Sequence, residues 1–114
     1  MQDGYTQQSR QFLTQAKEEL DKGDLVQASE KLWGASAQIV KAVAQRRGWR
    51  HGSDRNLFEV VNWIAEETGD RSLRIAFQVV WGQHYNFYET GYPREFVENG
   101  IALGEEFVGK LERL

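Results

Sequence analysis

The chain has 114 residues, a formal net charge of −3 and no cysteine. A length of this order holds one domain with one core. The charge excludes a global pull toward nucleic acid or acidic membranes, and the absence of thiols excludes a disulfide scaffold, a thiolate metal site and a cysteine nucleophile.

No apolar run reaches the length of a membrane span, and the start (Met-Gln-Asp-Gly) lacks the charged-then-apolar pattern of a signal peptide. The expectation is a soluble, cytoplasmic protein. A single proline and abundant Ala, Leu, Glu, Gln and Lys favour helix throughout.

Residues 1–5 read as a loose lead-in. Helix 1 is expected over about 6–22, where Phe12, Leu13, Ala16 and Leu20 recur at helical spacing. Gly23 is suited to end it, and Asp24 to cap helix 2, with Gln27 three residues on as in a capping box. So short a connection makes helices 1 and 2 antiparallel neighbours.

Helix 2, over about 24–47, would be about 36 Å long. Leu25, Ala28, Leu32, Ala35, Ile39 and Val43 form one apolar stripe. Trp33, Ala37, Val40 and Ala44 form a second beside it. Only Gln27, Lys31, Gln38, Lys41 and Gln45 make a hydrophilic edge. A helix apolar on more than half its circumference must be covered from several sides, so helix 2 is expected at the centre.

Arg46 and Arg47 suit the negative end of that helix, and Gly48 stops it. After a loop, Ser53 or Asp54 caps helix 3, which carries Leu57, Val60, Val61, Ile64 and Ala65 on one face. Gly69 ends it, and Asp70 is expected to cap helix 4 as Asp24 caps helix 2. Helix 4, to about residue 89, has Leu73, Phe77, Val80, His84 and Phe87 on its inner face. Arg74, Gln78, Trp81, Tyr85 and Tyr88 form the adjacent one. Pro93 is expected in the first turn of helix 5, whose seam is Val97, Ile101, Gly104, Val108 and Leu111. Gly100 and Gly104 suggest a close helix crossing.

Three clusters are candidate sites. Arg46, Arg47, Arg50, His51 and Arg55 form the one dense basic group, with Trp49 among them. Guanidinium forks beside an aromatic ring can hold a phosphate and stack a base. The simpler reading is a complemented helix end with Trp49 plugging the bundle mouth. Next, His84, Asn86, Tyr88 and Glu89 are dense polar groups on helix 4. His84 falls on the apolar stripe and needs a hydrogen-bond partner there, expected from helix 2 or Glu89. Third, Trp81, Tyr85 and Tyr88 suggest a subunit interface. The candidate catalytic residues are Arg46, His51 and His84. Two histidines without a His-x-x-x-His or Glu-x-x-His pair leave no metal site, and no cofactor motif is present.

The blocks Gly23-Asp24 through Trp33-Gly34, Gly48-Trp49-Arg50-His51 and His84-Tyr85-Asn86-Phe87-Tyr88-Glu89 resemble the PaREP-type branch of the HEPN-like superfamily, best known from archaea. The resemblance covers about 10–112. It implies an up-and-down helical bundle, usually dimeric. Many HEPN relatives are ribonucleases or toxins encoded beside a nucleotidyltransferase. Their signature is an arginine, four to six residues, then a histidine. Arg46 and His51 match that spacing, but Arg47 stands where a polar Asn, Asp or His commonly follows the arginine, and the pair comes after helix 2, whereas the family's motif usually lies toward the C-terminal helices.

The reading is therefore an all-α, HEPN-like bundle of about five helices around helix 2, forming a homodimer. It would be a non-catalytic module binding a nucleotide, RNA or a partner protein. One alternative is a metal-independent ribonuclease, the toxin of a toxin–antitoxin pair with a nucleotidyltransferase partner. Another is a purely structural dimerising adaptor.

Overall fold

Turn residues and capping side chains divide the chain into five α-helices in the computed structural model, which describes residues 4–114. These are α1 (Gly4–Asp21), α2 (Leu25–Arg47), α3 (Asp54–Thr68), α4 (Ser72–Thr90) and α5 (Arg94–Glu112). The expected lead-in over 1–5 is corrected at Gly4 and Tyr5, which already belong to α1. The rest of it lies outside the described residues.

Two of the expected caps form. The Asp24 side chain accepts from Gln27 N at 3.0 Å, and Ser53, not Asp54, caps α3 by accepting from Asn56 N at 3.2 Å. Gly48 takes a left-handed conformation (φ 72°) after α2, which a Cβ would oppose. Trp49 N can then reach back to Ala44 O at 2.9 Å.

Two other caps differ from expectation. Arg71, not Asp70, stands at the N-cap of α4 and makes no side-chain cap bond. Asp70 sits one residue earlier and accepts from Ser72 N at 3.0 Å, a local turn that competes with helix. Pro93 precedes the first turn of α5 as its N-cap; its fixed φ and missing N–H suit that position as well.

Among the described residues, α2 packs on each of the other four helices, and no other helix does so. Its Ala28, Leu32, Ala35, Ile39, Val40 and Val43 are all buried, because the other four helices pack around it. Small residues set these distances. Ser9 Oγ of α1 donates to Ala35 O at 2.7 Å. A Cβ on Gly104 of α5 would stand 2.4 Å from Leu32 Cδ1, so the α2–α5 approach depends on the bare backbone there. Trp33 packs against both halves of the core. No helix among the described residues is long and apolar enough to cross a membrane.

Candidate functional site

The basic cluster lies where α2 ends and the chain turns into α3. Its members have separate fates. Arg47 Nη1 donates to Glu67 Oε1 at 2.6 Å, and its guanidinium lies over the Trp49 ring, 5.1 Å from the centroid. Trp49 meets Trp63 edge-on at 5.1 Å and packs on the core. Arg47 and Trp49 are thus engaged in fastening the connection to α3. Arg46, Arg50 and Arg55 are exposed.

His51 is turned inward. Its Nδ1 lies 2.9 Å from Trp49 O. A carbonyl only accepts, so Nδ1 carries the hydrogen, and Nε2 of the neutral ring is left as an acceptor. The ring meets Tyr5 of α1 edge-on at 5.7 Å.

His51 borders a cleft of about 100 Å³ between α2 and the start of α3. Trp33 and Lys41 form the α2 wall, and Ser53 and Asp54 the opposite rim. Lys41 is half-buried and has no hydrogen bond or ion pair among the described residues. Residues 54 and 55 begin α3, where first-turn N–H groups lack intrahelical acceptors and the helix dipole is positive. Asp54 contributes the opposing charge.

Tyr5, which touches His51, also borders a wider groove of about 500 Å³ between α1 and α2. Phe12 and the carboxamides of Gln8, Gln38 and Gln45 line it. A small charged cleft therefore adjoins a larger neutral groove with flat rings and amide donors and acceptors.

The helix 4 cluster is arranged differently. His84 stacks on Trp33 of α2, with centroids 5.9 Å apart and planes at 15°. Its buried Nδ1 finds no partner among the described residues, which corrects the expected bond to α2 or Glu89: an aromatic face covers the ring instead. Asn86 Nδ2 donates within the helix to Gly82 O at 3.1 Å. Tyr88 and Glu89 point to solvent. Trp81 stacks on Tyr85 at 4.8 Å and meets Phe58 edge-on. The cluster forms an outer strip, from which His84 and Trp81 reach inward to Trp33 and Phe58.

Sequence reasoning missed Lys41, Trp33 and Tyr5 as site residues. Lys41 read as hydrophilic edge, Trp33 as core and Tyr5 as lead-in. Their spacing hinted at the α2 wall, since Trp33, Ala37 and Lys41 are four apart. That Lys41 makes no ion pair among the described residues is a tertiary fact. Among the described residues no group of three His, Cys, Asp or Glu side chains converges to hold a metal ion.

A family model described as the archaeal PaREP1/PaREP8 family matches residues 5–107. Among solved structures, the chain is similar to the crystal structure of a protein from Sulfolobus solfataricus. The two are 21% identical with a TM-score of 0.82, over 93% of this chain and 94% of that one. At that identity the likeness speaks for the fold alone. No curated protein matches the sequence.

Proposed function

The chain belongs to the archaeal PaREP1/PaREP8 family, whose name states no activity, and on the chemistry of the site we propose that it is a binding module for a nucleotide phosphate, free or at the end of an RNA strand. The observation that carries this reading is Lys41, a half-buried residue with no hydrogen bond or ion pair among the described residues, on a cleft that the amino end of α3 borders. An ammonium with no ion pair in its own chain is open to an anion, and a phosphate would supply charge-assisted hydrogen bonds to it.

The cleft has room for a phosphate but not for a nucleoside. The base would lie outward against Tyr5 and Phe12, in reach of Gln38 and Gln45. Exposed Arg50 and Arg55 would add attraction at longer range. This is a binding and not a cleavage reading, because the two contacts of His51 run to Trp49 and Tyr5 and neither joins it to Arg46. Kinship with HEPN-like domains is part of the proposal, and the five-helix order with its short α1–α2 connection supports it.

The test is calorimetric titration with a nucleoside monophosphate and with a 5′-phosphorylated RNA oligomer, each beside its unphosphorylated counterpart. Binding should need the phosphate and weaken as salt rises. Equal affinity for the unphosphorylated ligands, or binding indifferent to salt, would overturn the proposal.

A further inference from the structure

Much of the outer face of α4 is uncovered, and its chemistry identifies what would cover it. Within the chain, Arg74 donates to Asn62 Oδ1 at 2.8 Å and stands 4.0 Å from Glu66, and Trp81 packs on Phe58. Ile75, Tyr85 and Tyr88 are 61%, 68% and 79% exposed. With Arg74, Gln78, Trp81, Gly82 and Glu89 they fall on one side of the helix, at steps of three, four and seven. A scattered exposed apolar residue needs no explanation, but a contiguous strip does.

The charges of this face run against the helix that bears them. Arg71 and Arg74 stand at the amino end of α4, whose first turn holds no acid. Glu89 stands in the last turn, which holds no base, and makes no hydrogen bond or ion pair among the described residues. Each has the sign that its own helix end disfavours. Beside an antiparallel copy of α4, each would meet the end of opposite sign.

We propose that α4 pairs with α4 of a second copy of this chain, antiparallel, about a two-fold axis level with Trp81 and Gly82. Arg74 and Glu89 lie about 11 Å to either side of that level. Arg74 of each copy therefore stands at the height of Glu89 and Tyr88 of the other, within reach of an ion pair and a cation–π contact. Gln78 faces Tyr85 of the second copy near the seam. Beside Gln78 and Arg74 is a groove of about 220 Å³ floored by Phe58, Val61 and Phe77, which gives that tyrosine ring an apolar seat. Gly82 faces its own counterpart on one flank. A Cβ there would meet nothing in this chain, so internal packing does not require the glycine, whereas close approach of a second helix does. The same patch serves both copies, as a two-fold interface demands.

A single pair of helices is a small interface, so the dimer should dissociate at about 10–100 µM. Sedimentation velocity across that range, with circular dichroism to check folding, provides the test. Wild type should shift from monomer to dimer. Gly82→Leu, Glu89→Lys and Arg74→Glu should each be folded and monomeric. Mixing the last two should restore a dimer, because one chain of each kind satisfies both ion pairs. The proposal is overturned by a wild type that stays monomeric throughout. A dimer that survives Gly82→Leu and Glu89→Lys, or a mixture that stays monomeric, overturns it equally.

Discussion

Lys110 of α5 places its Nζ 2.9 Å from Asp70 Oδ2 and 2.9 Å from Ser72 Oγ, fastening the last helix to the connection between α3 and α4. The hydrogen bond from Ser72, then that from Lys110, holds the Asp70 carboxyl below its ordinary 3.8. The bond to Asp70, then that to Glu106, holds the Lys110 ammonium above its ordinary 10.5.

Opposite signs follow for stability against pH. Asp70, with a depressed value, contributes fully above 3.8 and loses its contribution as pH falls through its lower folded value. Lys110, with a raised value, contributes fully below 10.5 and loses it as pH rises through its higher folded value. Both groups are open to solvent, which screens the effect. Thermal melts should show this pair's contribution as a plateau between the two limits. Asp70→Asn should lower that plateau slightly and shrink the loss on both sides. An unchanged acid limb in the variant would contradict the assignment.

Gly104→Ala should destabilise by about 1–3 kcal/mol, since its Cβ would press into buried Leu32. Gly100→Ala meets Gln83 Oε1 at 2.3 Å. It should cost less if Gln83 can shift, although the Gln83 Nε2 bond to Phe96 O at 2.8 Å resists that. Urea unfolding of the two variants checks the order. Equal stability of wild type and Gly104→Ala would mean that α5 can slide away from α2.

Ile39→Ala on α2 should cost roughly 2–5 kcal/mol, because the side chain is fully buried. Ile39→Asp should abolish cooperative unfolding, since an unpaired carboxylate would be buried. Gln45→Ala, on the exposed edge, should change stability by no more than about 0.5 kcal/mol. A midpoint unaffected by Ile39→Asp would dislodge α2 from the centre of the fold.

At the cleft, two substitutions should act in opposite directions. Lys41→Ala should weaken phosphate binding by about 10–100-fold, the range for a lost hydrogen bond to a charged group. Asp54→Asn should strengthen it by removing like-charge repulsion at the rim. Titration calorimetry with the same nucleoside monophosphate reads both, and weaker binding by Asp54→Asn would count against the geometry.

Much of the architecture is legible from local pattern. The α2 stripes, the Asp24 and Ser53 caps and the seam of Val97, Ile101, Gly104, Val108 and Leu111 all stand where spacing puts them. Departures occur where two local solutions compete. Asp70 accepts from Ser72 in a turn rather than capping α4, and nothing local distinguishes the two uses of an aspartate before a helix. The candidate site is less legible. Arg47 and His51 look alike as members of a basic run, yet Glu67 and Trp49 occupy the first while the second borders a cleft. Lys41 gains interest only through what does not face it. His84 was legible as inward-facing but not as resting on Trp33, because stacking between helices depends on their rotation.

The narrow joints of the bundle bear on how quickly it assembles. Helices α1 and α2 are separated by residues 22–24, α3 and α4 by 69–71, and α4 and α5 by 91–93. Successive helices therefore meet without closing long loops, and the entropy of search is small. Such a chain should reach its native state in microseconds to milliseconds, as low contact order allows. Its slowest event should be the seating of α5 against α2 over Gly104, the contact that joins distant parts of the sequence.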